Sequence, residues 1–240
     1  MTATHPSLPT APLGPISDHA GAADAELRRS FGPRVRKLHA RIGKAHHHAE
    51  GMAFSRALLA GEATPPQLAA LLRAVAPAYA LLEAEAPERA CALGATDLPW
   101  ADLARSAALQ RDLAQLSVLS SSPSSPAAAL WLERLRLLAR QAPHRLMAHV
   151  YVRYGGDLSG GQQLSQEANA ILQRHGLPRL HFWSFELPIT ALKASLHGGF
   201  EQLDLTEAEE EEFLEEAETA FLLTQRLLAE LAELDAQLPG

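Results

Sequence analysis

Four glycines inside one helical stretch, residues 144–162 (HRLMAHVYVRYGGDLSGGQ), constrain this chain more than any other feature. Leu146, Val150, Tyr151 and Tyr154 can share a helical face, yet Gly155, Gly156, Gly160 and Gly161 interrupt it. At about 1 kcal/mol per glycine relative to alanine, the four together cost about 4 kcal/mol of local helix stability. Close approach is the usual physical reason to retain them, because a helix without Cβ atoms lets its backbone touch a flat ligand and can bend there. Gly156 and Gly160 are four apart and so lie on one face. Asp157 stands beside that face, with Arg153 four residues earlier, the less favourable order for stabilising a helix by charge pairing. A helix kinked over a planar cofactor, with a carboxylate near its reactive centre, accounts for the whole pattern. The competing reading is a glycine-kinked core helix with no ligand.

The rest of the chain reads as helical. Leu and Ala dominate, β-branched residues are sparse, and the segments between prolines carry helical spacing, which makes the fold class all-α. A length of 240 residues with 47% apolar content suffices for one full core. We expect a single helical-bundle domain over 25–238, preceded by a flexible Pro/Ala-rich leader at 1–24. The single Cys91 closes no intrachain disulfide, and neither a secretory signal nor a long uncharged apolar run opens the chain, so a cytoplasmic protein without a membrane partner is expected. The net charge of -7 argues against a dedicated nucleic-acid binder.

Gly32 and Pro33 separate a short first element from a main helix starting near Arg34, whose apolar stripe runs Val35, Leu38, Ile42, Ala45, Ala49 and Ala53. Seven Arg or Lys residues and no acid lie between Arg28 and Lys44. They form either a solvated face or a patch that attracts anions, such as ligand carboxylates and an acidic electron-transfer partner. His46 falls on the core side of this helix, whereas His47 and His48 turn away. A lone inward histidine is more often a packed core residue, but neutral imidazole is also a good iron ligand, and Glu50 one turn later could hold its second nitrogen. The triple histidine could equally be a surface metal site.

Thr64 caps the next helix, with Pro65 at its first position, running toward Glu85 with a kink at Pro77. Tyr79 within it reads as a half-buried packing residue. Leu98 to Leu116 reads as one helix without chemistry, residues 120–126 (SSSPSSP) as a linker, and Ala127 to Arg140 as a helix with Trp131 in the core. The glycine helix extends to about His175, and His181 to Phe185 is an aromatic connection that packs. Leu187 to Phe200 forms a helix that carries Lys193 and His197 on one face. Thr206 caps a last helix running to about Gln237, whose acids at Glu207 and Glu209 to Glu212 favour the positive helix terminus in solvent.

The segment AHVYVRYGGDLSGGQ resembles the distal-helix signature of the heme oxygenases. HHHAEGMAFSRALLAG is similar, without a gap, to that family's proximal-helix segment, matching at His46, Ala49, Glu50, Phe54, Arg56 and Gly61. DLARSAALQRDLAQL resembles the family's middle region and TAFLLTQRLLAEL its C-terminal segment, with Thr224 in place of the customary Asn. The resemblance covers roughly Arg34 to Leu234. It implies a heme oxygenase-like bundle with heme, both cofactor and substrate, between a proximal and a kinked distal helix. The implied reaction opens heme with O2 to biliverdin, carbon monoxide and ferrous iron. Electrons would come from an external ferredoxin or flavoprotein reductase, since the chain carries no flavin or nicotinamide fingerprint. A noncatalytic heme storage or transfer protein of the same fold is the alternative.

The same resemblance assigns roles to residues. His46 takes the place of the axial ligand to heme iron and Glu50 that of its hydrogen-bonding partner. Asp157, Arg153 and Tyr79 fall in the distal network that orders water and delivers protons. Tyr151, Gly156, Ser159 and Gly160 fall against the heme, and His39, Lys193 and His197 where basic residues hold its propionates. His197 stands where many members have Arg, His39 where they have Lys, and Gly43 where a second Lys can sit. Neutral histidine offers neither fixed charge nor bidentate geometry. Ring orientation, and with it the product isomer, is therefore left open.

Overall fold

Proline and hydroxyl residues open the long helices. In the computed structural model, which describes residues 31–119 and 124–234, the described residues contain ten α-helices, one 3-10 turn at Ser117–Leu119 and no strand. The helices are α1 (Pro33–Glu50), α2 (Ala53–Leu59), α3 (Pro65–Ala92), α4 (Trp100–Leu103), α5 (Ser106–Gln115), α6 (Pro126–Gln141), α7 (Pro143–Ser159), α8 (Gly161–Arg174), α9 (Ile189–Glu201) and α10 (Glu207–Glu233). α1, α3, α6 and α7 each place proline in the first turn, where a missing N–H costs nothing. Thr64 with Gln67, and Thr206 with Glu209, form reciprocal capping boxes, and Ser125 caps α6. The expected leader, the domain boundary at residue 25, the linker at 120–123 and the chain beyond Leu234 lie outside the described residues.

Three boundaries differ from the sequence reading. α1 ends at Glu50, and Met52 is extended before α2 begins. Its stripe therefore stops at Ala49, Ala53 is exposed, and Phe54 and Leu58 become the next core contacts. α3 continues through Pro77 and Pro87 to Ala92, with Ala74, Val75, Ala78, Tyr79, Leu82 and Ala86 buried on both sides of the prolines. Packing along that face outweighs the lost backbone bond. The stretch from Leu98 is two helices, because the Glu83 carboxylate accepts the backbone N–H groups of Arg105 (2.6 Å) and Ser106 (3.0 Å) and starts α5 there.

The described residues from Gly32 onward form one compact unit. α10 is its spine, packing on α7, α1, α6 and α2, while α3 supports α5, α6 and α7 from behind. α9 bridges α1 and α7, and α8 reaches α2. The largest fully buried side chains include Tyr79, Tyr154, Phe54, Phe200 and Phe213. The basic run on α1 meets the acids of α10. Lys37 pairs with Glu210 (2.8 Å), Arg41 with Glu211 (2.5 Å) and Glu218 (3.5 Å), and Arg34 with Glu210 (3.5 Å). These acids thus join two helices as well as meeting a helix terminus. No helix among the described residues is long and apolar enough to cross a membrane.

The start of α1 is fastened to the end of α9. Glu201 accepts from the backbone N–H groups of Arg34 (3.2 Å) and Val35 (2.8 Å), supplying the cap that Gly32 lacks. The Arg34 guanidinium donates in return to the carbonyls of Phe200 (2.9 Å) and Leu203 (2.7 Å). A Cβ on Gly32 would fall 2.2 Å from the Glu201 carboxyl carbon, so the close approach depends on glycine there.

Candidate functional site

α7 breaks at Gly160, and its four glycines divide into two pairs with different jobs. A Cβ on Gly161 would lie 2.7 Å from the Trp183 ring, and one on Gly155 would touch the Tyr151 ring at 3.6 Å, so these two serve internal packing. A Cβ on Gly156 would meet nothing within 4 Å, and one on Gly160 only the Gly156 carbonyl at 3.7 Å. Gly156, Ser159 and Gly160 are exposed and sit three and four residues apart. They form a strip of bare backbone open to a flat ligand.

Asp157, beside this strip, is buried, at 8% exposed. Tyr79, itself buried, donates its hydroxyl to Asp157 Oδ2 at 2.5 Å, and the Trp183 indole helps to favour the ionised carboxylate. Burial raises the Asp157 carboxyl to about 6, opposed by the charge of Arg153, the Tyr79 bond, the charge of Arg105 and the Trp183 bond. Burial likewise raises the Tyr79 phenol well above its ordinary value, reinforced by the Asp157 charge. Tyr79 is therefore no half-buried packing residue. Its ring stands perpendicular to those of Tyr154 (5.6 Å) and Phe182 (5.3 Å).

Arg153 is placed otherwise than expected. Its guanidinium lies over the Trp131 ring, 5.5 Å from the centroid, and it forms no ion pair with Asp157. One turn of helix separates the two side chains, so Arg153 acts on Asp157 through space.

Two segments read as featureless supply the surroundings of Asp157. Arg105, at the α4–α5 junction, donates to the carbonyls of Leu103 (3.0 Å), Ala104 (2.7 Å), Phe182 (3.3 Å) and Ser184 (2.5 Å), and its guanidinium covers the Phe185 ring at 4.0 Å. The aromatic connection carrying Trp183 is held by Asp112, which accepts from His181 N (2.9 Å) and Phe182 N (2.8 Å), and by Gln162, which donates to the Trp183 carbonyl (3.0 Å). Tyr154 donates to Glu83 at 3.3 Å and completes the ring of polar groups. Asp112, fully buried in α5, gave no signal in the sequence.

His46 lies on α1 with its side chain 51% exposed, not in the core, and its ring meets Phe221 of α10 edge-on at 5.8 Å. Glu50 Oε2 is 3.6 Å from His46 Nδ1, within reach of a charge contact and longer than a hydrogen bond. Gln225, one turn beyond Phe221, donates to the Ala45 carbonyl at 3.1 Å and fixes the backbone next to His46. Neighbouring Thr224 turns to its own helix, bonding the Ala220 carbonyl at 2.9 Å. His47 and His48 are exposed, and no group of three or more His, Cys, Asp or Glu among the described residues could hold a bare metal ion.

The expected carboxylate-binding residues gather at one end. His39 Nε2 is 2.8 Å from the Tyr151 hydroxyl, and the His197 ring stacks on Tyr151 at 5.8 Å with 22° between planes. His39 and His197 meet edge-to-face at 6.2 Å, and Lys193 lies one turn before His197 on α9. From His39 to His46 is seven residues, about 10 Å along the helix. From Tyr151 to Gly156 is five, about 7.5 Å. An accessible imidazole, a bare backbone strip and a cationic end at these spacings fit an iron porphyrin that carries carboxylates on one edge.

A family model described as heme oxygenase matches residues 35–230. Heme oxygenase 1 of Homo sapiens is 33% identical over 205 residues, covering 80% of this chain and 69% of that protein. Heme oxygenase 1 of the cyanobacterium Nostoc is 27% identical over 200 residues, covering 81% and 84%. The crystal structure of heme oxygenase-1 from Synechocystis in complex with heme superposes with a TM-score of 0.75 at 26% identity, covering 83% of this chain and 92% of that one. That of heme oxygenase from Leptospira interrogans gives 0.73 at 28% identity, covering 83% and 100%.

Proposed function

Since the chain belongs to the heme oxygenase family, we propose that it binds heme between α1 and α7 and cleaves it with O2 to biliverdin, carbon monoxide and ferrous iron. Electrons come from an external ferredoxin or flavoprotein reductase. When bound, heme supplies the iron that activates O2 and the ring carbon that is oxidised.

The chain's own residues divide the work. His46 Nε2 binds the iron from the α1 side, with Glu50 near Nδ1 to orient the ring. Gly156, Ser159 and Gly160 would let the α7 backbone lie directly against the flat ligand, because no side chain stands off the two glycines. Asp157 stays off the iron. Held by Tyr79, its carboxylate would order water and move protons toward the ligand, with Arg153 and Arg105 supplying positive potential that favours its ionised form. His39, Tyr151, Lys193 and His197 hold the propionates.

The observation that carries this reading is a buried carboxylate, bonded to a buried phenol, directly behind an exposed glycine strip. Asp157→Ala is expected to bind heme nearly normally and to yield far less biliverdin with ascorbate or a ferredoxin system. Equal ring opening in that variant would defeat the assignment, and a wild-type complex that stays intact under reduction would favour heme storage.

A further inference from the structure

The end of the site away from Asp157 combines three groups on three helices. His39 comes from α1, Tyr151 from α7 and His197 from α9, the two imidazoles flanking one phenol. None carries a fixed charge. Lys193, one turn before His197, is a cation on this side, and Glu201 on the same helix places negative charge near Tyr151. Phe200 closes the back of the phenol at 5.1 Å. A carboxylate approaching this end meets Lys193 and two imidazoles, with Arg36 one turn before His39 on α1.

We propose that the His39–Tyr151–His197 cluster binds ligand carboxylates by taking up a proton, so that recognition of a dicarboxylic porphyrin by this chain is proton-linked. This rests on the heme-binding reading above and names how the same site is regulated.

The hydrogen-bond arithmetic supports it. The phenol has one hydrogen to give, and in the Nδ1–H tautomer of neutral His39 it goes to Nε2 across the 2.8 Å contact. Once His39 is an imidazolium, Nε2 must donate, Tyr151 accepts, and the phenolic hydrogen is released to the incoming carboxylate. Protonation thus creates a cation and frees a donor at the same point. His197 responds in the same direction. Burial, followed by the neighbouring His39 and Lys193, lowers it to about 4, so it is neutral before a ligand arrives. A carboxylate seated between these groups replaces repulsion with attraction and favours the protonated imidazole. A fixed positive charge alone would give binding indifferent to pH across this range.

The test uses the full chain and metal-free protoporphyrin IX, whose fluorescence reports binding and whose lack of iron removes any contribution from His46. Calorimetry in buffers of different ionisation enthalpy counts the protons taken up. The expected result is net uptake between pH 6 and 7.5, with affinity falling up to tenfold per pH unit as pH rises, one decade per proton bound. The uptake should vanish with the dimethyl ester of the porphyrin and in the His39→Lys, His197→Arg double variant, which keeps cations at both places. Tight porphyrin binding with no proton uptake, or uptake unchanged in the double variant, overturns this proposal and leaves heme binding standing. Failure of the chain to bind either protoporphyrin IX or heme overturns both.

Discussion

Tyr79 and Asp157, 78 positions apart in sequence, meet across 2.5 Å with both side chains buried. Removing the donor isolates its contribution. Tyr79→Phe leaves the ring packing against Tyr154 and Phe182 in place while taking one bond from the ionised carboxylate. Biliverdin formation should fall by about tenfold, less than the range for a group that itself transfers the proton, while heme affinity stays within about twofold. Single-turnover absorption spectra and an equilibrium heme titration read the two quantities separately.

The raised Asp157 carboxyl gives opposite signs for activity and stability. Its value is about 6 in the folded protein, driven chiefly by burial, against about 3.9 in an unfolded chain. The ionised form prevails above about pH 6, so the proton-relay rate should decline as pH falls through 6. Stability behaves inversely. The folded state binds this proton more readily than the unfolded state, so the Asp157 contribution rises as pH falls from about 6 toward 4. Asp157→Asn should remove both dependences, read from a turnover profile and from urea midpoints at matched pH.

The two glycine pairs on α7 and α8 predict opposite outcomes for the same substitution. Gly161→Ala drives a methyl group into the Trp183 ring at 2.7 Å and should destabilise the protein by about 1–3 kcal/mol. Gly156→Ala meets no atom within 4 Å and should leave unfolding midpoints unchanged or slightly raised, by up to about 1 kcal/mol. Its damage should appear in the heme spectrum and in product yield. Denaturation and heme titration of both variants separate the structural from the ligand-facing glycine.

A second buried carboxylate serves stability. Glu216, 1% exposed, bonds His149 (3.0 Å) and Arg134 (2.5 Å), and His149 also accepts from the Trp131 indole (3.2 Å). Burial would raise Glu216, but the His149 and Arg134 bonds outweigh it and hold the group at about 2. A depressed carboxyl stabilises the fold above its ordinary value of 4.5, and the contribution fades as pH drops from there toward 2. Glu216→Ala should lose on the order of 3–5 kcal/mol, with most of the acid sensitivity in that window gone. Urea unfolding at pH 7 and pH 3.5 checks both.

Local chemistry was legible where it acts within a few residues. Thr64 and Thr206 announce their helices because a cap needs only the next three positions, and Gly156 with Gly160 announces a bare face through helical spacing alone. Contacts made across the fold were not. Glu83 starts α5 from 22 residues away, and Arg105 and Trp183 reach Asp157 from segments with no motif. The Arg153–Asp157 pair shows the converse error, since i,i+4 spacing suggests a contact that the Trp131 ring claims instead. His46 was read as facing the core because helical phase shows which side a residue lies on and not how deeply its neighbours cover it.

The mutual fastening of Arg34 and Glu201 makes α1 and α9 a single rigid jaw, holding the imidazole of His46 and the rings of His39 and His197 at set spacing. On the opposite side, the junction at Gly160 is held by Gln162, which donates to the Trp183 carbonyl at 3.0 Å, and by Gly161 packed on the Trp183 ring. Under the heme-binding reading proposed above, the wall that carries His39 and His197 would therefore keep its spacing as ligand enters and product leaves.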